Sequence, residues 1–157
     1  MAVDRDELET FLAGRYVATM ATYRADGTAH LTANWYLYED GAIYLPTSSR
    51  TVKARHVLRD PRCSVMVDSR GPAPMRGGGT SGPATVVTGA EAAALNERTW
   101  LRYLTPEGLD DPAVGGILRA YDDVSIRVEC GAWTWWDMGP IFGDRLEQPG
   151  ISLGLSP

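Results

Sequence analysis

Lysine is almost missing from this chain: of fifteen basic residues fourteen are arginine, and the single lysine is Lys53. Histidine and cysteine are nearly as scarce, with two of each. His30, His56, Cys63 and Cys130 have no paired spacing of the kind zinc needs, so no metal site is supported. Two histidines also leave thin support for a nucleophile triad. No Gly-x-Ser-x-Gly elbow, His-Glu-x-x-His helix or Gly-x-Gly-x-x-Gly turn is present. Both cysteines sit in strand-like surroundings and read as reduced, buried small hydrophobes. No apolar run approaches the roughly 18 residues of a membrane helix, and no basic-then-apolar leader opens the chain, so the expected location is the cytoplasm, away from membranes. Positive charge is short as well. A net charge of −5 and a pI near 5.0 argue against nucleic acid as a partner.

What is present suits a soluble globular domain: 157 residues, 44% hydrophobic and 22% charged. Asp4 is placed to cap a helix running to about Ala13, with Glu7 completing a capping-box pattern and Gly14 ending it. Tyr16 to Tyr23 reads as a strand that stops at Asp26-Gly27, a hairpin signal. Ala29 to Tyr38 alternates. Ala29, Leu31, Ala33, Trp35 and Leu37 make an expected core face, and His30, Thr32, Asn34, Tyr36 and Tyr38 an opposite face of hydrogen-bonding groups. Asp40-Gly41 turns the chain into a third strand, Ala42 to Leu45. Cys63 to Asp68 is a fourth strand.

Farther along, Ser69 to Gly79 reads as a Gly- and Pro-rich loop, and Thr80 to Thr88 as an edge or bulged strand broken at Gly82-Pro83. A capping box at Thr88 and Glu91 opens a helix to about Leu104. A loop bracketed by Pro106 and Pro112 follows, then a short helix over Val114 to Tyr121 and a strand from Val124 with Val124, Ile126 and Val128 inward. Trp133, Trp135 and Trp136 come next, suited to packing or to stacking on a ring system. Residues 139–157 read as a tail without regular structure. The expected architecture is mainly β with α: a six-to-seven-stranded barrel with flanking helices over 1–138.

Between the third and fourth strands lies LPTSSRTVKARHVLRDPR, residues 45–62. Thr47, Ser48 and Ser49 offer hydroxyl and amide donors, and Arg50 and Lys53, three apart on an incipient helix, supply charge. Hydroxyls and free backbone N–H groups meeting positive charge at a helix start suit a phosphate. The plainer alternative is Ser48 or Ser49 as helix N-cap with the cations forming a solvated face.

The order strand, Asp-Gly turn, alternating strand with Trp35, Asp-Gly turn, strand, then TSSRTVKARHVLRDPR resembles the pyridoxamine-phosphate-oxidase-like split β-barrel superfamily. That superfamily includes FMN enzymes and reductases using the deazaflavin F-420. The resemblance covers residues 14–68 well and the remainder more loosely. It implies a homodimer with a cofactor in a groove between subunits. Lys53 matches the family's phosphate-binding lysine, and the Thr47–Lys53 loop would hold the phosphate. Thr32, Asn34 and Tyr36 would line the groove, and Trp135 or Trp136 would come from the partner chain.

The sequence also departs from the family pattern. Val52 stands where an arginine often precedes the lysine, and His56 where an asparagine often follows. The arginine and lysine pair and the C-terminal Arg-Leu-x-Pro motif of true pyridoxamine phosphate oxidases are missing, which disfavours vitamin B6 oxidation. The expectation is hydride transfer to or from a small organic substrate by F-420 or FMN. No catalytic acid or base is assigned, Tyr36 being the nearest donor. The alternative is a non-catalytic flavin- or haem-binding protein, the haem version needing His30 or His56 near an iron.

Overall fold

One long strand, β6 (Arg76–Thr88), carries the sheet from one side of the barrel to the other. Its first part pairs with β5 (Arg62–Asp68) on one edge and with β8 (Trp133–Asp137) on the other; its second part pairs with β7 (Val124–Glu129). The computed structural model describes residues 4–70, 75–120 and 122–142. The remaining strands are β1 (Val17–Tyr23), β2 (Ala29–Asn34), β3 (Leu37–Glu39) and β4 (Ala42–Thr47), and the order is β2-β1-β5-β6-β7-β4-β3 with β8 added on β6. Neighbours are antiparallel throughout, as in a split barrel.

The sequence expectation of an edge or bulged strand from Thr80, after a glycine-rich loop, is corrected here in its start and its edge position. β6 begins at Arg76 and is central. Gly82 and Pro83 mark the corner where its neighbour changes from β8 to β7. A Cβ on Gly82 would fall 1.8 Å from the Glu129 carbonyl oxygen, so only glycine permits that approach. The amide after the proline, Ala84, donates to the Pro61 carbonyl at 2.7 Å. Gly77 and Gly78 are strand rather than loop because tryptophans occupy the space where side chains would stand. A Cβ on Gly77 would lie 2.2 Å from the Trp136 ring, and one on Gly78 3.1 Å from Trp133. The strand over Trp133–Asp137 had no sequence signal beyond its aromatics.

Among the described residues six helices flank the sheet: α1 (Arg5–Leu12), α2 (Val52–Arg59), α3 (Gly89–Tyr103), α4 (Pro106–Asp110), α5 (Gly115–Arg119) and α6 (Gly139–Phe142). Asp4 caps α1 as expected, accepting from the Asp6 and Glu7 amides at 3.0 and 3.3 Å. Thr88 precedes α3 but makes no side-chain cap, so the capping box read there is not formed. Thr105 instead caps α4 inside the expected loop, accepting from Gly108 N at 3.1 Å, with Pro106 at the first helical position. Gly139–Phe142 forms a helical turn where an irregular tail was expected. Residues 1–3, 71–74, 121 and those beyond 142, which include parts of the expected loop and tail, lie outside the described residues. No helix among those described is long and apolar enough to cross a membrane.

The core gathers Leu8, Phe11 and Leu12 of α1 with Met20, Ile43, Leu45, Val65, Val67, Ile126 and Val128 of the sheet. Cys63 is buried within it and Cys130 half-buried, both as free thiols. Burial pushes the Cys63 thiol up to about 12 and the Cys130 thiol to about 11, which suits inert packing groups.

The alternating run Ala29–Tyr38 folds differently from its pattern. It breaks at Trp35-Tyr36 into β2 and β3, because the Tyr36 amide donates to the Tyr103 hydroxyl on α3 (3.3 Å) rather than to a strand neighbour. The expected core face of β2 is the outer one: Leu31 is 63% exposed, whereas Asn34 is buried. Two polar faces meet instead, β2 turning His30 and Asn34 toward Lys53 and His56 of α2.

Candidate functional site

The loop between β4 and α2 is organised by hydroxyls. Thr51, not Ser48 or Ser49, is the N-cap of α2: its Oγ1 accepts from Ala54 N at 3.3 Å and donates to the Ser48 carbonyl at 2.8 Å. Thr47 Oγ1 lies 3.0 Å from Thr51 Oγ1. Capping by Thr51 leaves the Ser48 and Ser49 donors available to something other than the helix. Both are in use: the Ser48 hydroxyl donates to Asp122 Oδ1 at 2.5 Å, and the Ser49 amide reaches both Asp122 oxygens at 3.2 Å. These bonds hold the Asp122 carboxyl below the ordinary carboxylate range, the Ser48 hydroxyl first among them.

Lys53, one residue into α2, turns back toward β2 and donates to the side-chain carbonyl of Asn34. The Asn34 amide nitrogen is fixed in turn by the Thr32 carbonyl (2.8 Å) and the Thr32 hydroxyl (3.1 Å). Asn34 is therefore oriented with its oxygen toward the ammonium. Burial pulls Lys53 down to about 8 from an ordinary 10.5, and no ion pair between Lys53 and a carboxylate is present among the described residues. A half-buried ammonium resting on a neutral amide, beside several hydroxyls, is chemistry suited to an anion.

A cavity of about 300 Å³ opens over this arrangement. Lys53, Asn34, Thr47, Ser48 and Thr51 form its polar side, and Trp35, Trp100, Pro46 and Leu118 its apolar side. The Trp35 ring stacks on Tyr103 with centroids 4.9 Å apart and planes 3° from parallel, which fixes one wall. Polar donors at one end and flat apolar surface at the other suit a phosphate-bearing ring compound.

The expected site residues divide accordingly. Lys53, Asn34, Thr47 and Ser48 are brought together. Ser49 and Arg50 lie on the exposed rim, and Thr32 supports Asn34 without lining the cavity. Tyr36 is a correction: it has no exposed surface, and its hydroxyl donates to the Leu12 carbonyl at 2.9 Å. The aromatic ring is also covered by the Arg102 guanidinium 4.9 Å from its centroid, so Tyr36 anchors α1 to the sheet and neither lines a groove nor donates a proton in one.

Trp136 lies elsewhere within the chain, beside Leu31 and Met66 on the outer face of the sheet. Trp35 is the reverse case, a wall of the cavity where a core residue was expected. Thr51, Trp100, Leu118 and Asp122 carried no sequence signal toward the site. Asp122 is 74 residues from Ser48 and only the closure of β4 onto β7 brings them together.

His56 and His30 meet edge to face, centroids 5.5 Å apart, away from the cavity lining. His56 Nδ1 lies 3.0 Å from Thr22 Oγ1. Burial, then Arg59 and the other nearby basic groups, hold His56 below its ordinary range.

The profile of the family described as pyridoxamine 5'-phosphate oxidase matches residues 4–116. The chain belongs to that family. Among solved structures, the conserved hypothetical protein Rv2991 from Mycobacterium tuberculosis is 30% identical, with a TM-score of 0.74 over 99% of this chain and 95% of that one. A putative 5-nitroimidazole antibiotic resistance protein from Bacteroides thetaiotaomicron is 12% identical, with a TM-score of 0.64 over 86% of this chain and 85% of its own. HutZ, the heme storage protein from Vibrio cholerae, is 14% identical, with a TM-score of 0.61 over 87% and 95%. The last two share the fold. Among curated proteins none matches the chain.

Proposed function

We propose that this member of the pyridoxamine 5'-phosphate oxidase family is an oxidoreductase. In this reading it holds a deazaflavin (F-420) or FMN by its phosphate and moves a hydride to or from a small organic substrate. The observation that carries this is the Lys53 ammonium, half-buried against Asn34 with hydroxyls around it and, among the described residues, no ion pair to a carboxylate. The polar set suits a phosphate: the Lys53 cation, the Thr47 hydroxyl, and the Ser48 hydroxyl and Ser49 amide that Asp122 occupies here. When bound, such a cofactor supplies the hydride chemistry. The chain's own residues bind and orient: Lys53 neutralises the anion, Asn34 directs the ammonium, and the Trp35 and Trp100 surfaces exclude water from one side.

The groove is completed, in this reading, by a second copy. Leu31 and Met66 are exposed on the outer sheet face, 63% and 38%, beside Trp136. Leu31 and Ala33 share one face of β2, and Ala33 lines the Lys53 cavity. A partner covering Leu31 would therefore border the cavity, and its Trp136 would be the aromatic brought to it.

The haem reading draws on the fold shared with HutZ. It needs His30 or His56 near the iron, and neither lines the cavity. The two readings separate in the absorbance spectrum of the purified protein and in titrations with FMN and F-420. Saturable flavin or deazaflavin binding supports the oxidoreductase; a Soret band overturns it.

A further inference from the structure

The donors read as a phosphate cradle already hold an anion, and it belongs to the chain itself. Asp122 accepts from the Ser48 hydroxyl at 2.5 Å and from the Ser49 amide at 3.2 Å to each oxygen. Ser48 is otherwise buried, 2% exposed, and its oxygen accepts from the Arg50 amide at 3.3 Å. Among the described residues its proton goes to Asp122. The contact also ties the chain between α5 and β7 to the site. Leu118 of α5 lines the cavity, and Asp122, four residues on, closes on the loop that frames it. The opposite side of the cradle is different: Lys53 rests on a neutral amide.

We propose that Asp122 is a built-in competitor for the ligand's phosphate, so that the cradle selects a singly charged phosphodiester over a terminal, doubly charged phosphate monoester. This inference rests on the phosphate-binding reading of the same site. The reasoning is electrostatic. A phosphate oxygen that takes the Ser48 and Ser49 donors must displace the Asp122 carboxylate and then sit within a few ångströms of it. Repulsion between like charges grows with each unit of ligand charge. A diester presents one negative charge to the pair Lys53 and Asp122, and a monoester presents close to two at neutral pH. Lys53 favours either, and Asp122 opposes the second charge. FMN carries a terminal monoester, F-420 an internal diester, and riboflavin the FMN ring without a phosphate, so FMN against riboflavin separates charge from ring recognition.

The test is titration of the full chain, wild type against Asp122→Asn, with FMN, F-420 and riboflavin. The asparagine keeps a carbonyl acceptor for Ser48 and Ser49 and removes the charge. Asp122→Ala, which frees the donors altogether, serves as the second variant, with thermal melting to establish that each variant is folded. The expected result is FMN binding tightened by roughly tenfold or more, F-420 binding by about threefold or less, and riboflavin binding unchanged. Unchanged or weaker FMN binding in both variants overturns the inference, since Asp122 would then organise the cradle rather than compete for it. An equal gain for F-420 and FMN overturns the selectivity. Failure of the underlying reading looks different: Lys53→Ala would then bind FMN and F-420 like wild type.

Discussion

The ammonium of Lys53, on the first turn of α2, rests on the side-chain carbonyl of Asn34, nineteen residues earlier at the end of β2. Asn34 accepts the bond without neutralising the charge, and Thr32 fixes the asparagine so that its oxygen points the right way. A carboxylate in its place would complete an ion pair and leave no net charge for a ligand. Asn34→Asp is therefore expected to raise the Lys53 pKa above its present value of about 8 and to weaken binding of FMN or F-420 by roughly tenfold or more. Isothermal titration of the variant checks this; unchanged affinity would separate Asn34 from the site.

The same lysine lowers stability in the absence of a ligand. Its folded pKa of about 8 lies below the ordinary 10.5, so the unfolded chain binds more protons between those values and stability rises with pH across that window. Below pH 8 the cost of burying the charge is fully present. Lys53→Met should stabilise the ligand-free protein at pH 7 by about 1–3 kcal/mol, the partial exposure of the side chain reducing the full shift. It should also remove Lys53's contribution to the rise in stability between pH 8 and 10. Urea denaturation at three pH values reads both effects. A destabilised variant at pH 7 would mean that the ammonium is better satisfied than its single amide contact indicates.

Tyr36 separates a core role from a groove role. Its hydroxyl lies on the Leu12 carbonyl, and Arg102 also donates there at 3.2 Å, so the carbonyl keeps a partner if the phenol is removed. Tyr36→Phe should cost about 1 kcal/mol of stability and leave cofactor affinity unchanged. Parallel melting and titration show it; a loss of affinity without a loss of stability would return Tyr36 to the site.

Much of the split barrel was legible because its signals are local. Asp26-Gly27 and Asp40-Gly41 turn where their backbone requires, both glycines and Asp40 having positive φ, and the inward Val124, Ile126 and Val128 are buried as their alternation indicates. Lys53, Thr47 and Ser48 were legible for the same reason, lying within seven residues at a strand-to-helix junction. The remainder depends on contacts far apart in sequence. Alternation in β2 cannot say which face is inside, and the answer is set by α2 lying over its polar face. A glycine run reads as a loop until tryptophans some 55 residues later lie across it. Asp122, next to Asp123 and part of no periodic pattern, joins Ser48 only through the β4–β7 pairing.

The outer sheet face offers a prediction about assembly. Leu31, 63% exposed beside Met66 and Trp136, is central to the face proposed to meet a second copy. Leu31→Glu places a charge there without touching the core, and the expected result in sedimentation is a dimer for the wild type and a monomer for the variant. A variant that sediments like wild type would put the interface elsewhere.

The most direct measurement is titration of wild type and Lys53→Ala with FMN and with F-420, followed by the cofactor's own absorbance. The expected result is saturable binding of at least one cofactor by the wild type, weakened in the variant by about 1–3 kcal/mol with the melting behaviour of a folded protein retained. Equal binding by the two proteins, or binding of neither cofactor, would contradict the assignment of Lys53 as the phosphate anchor.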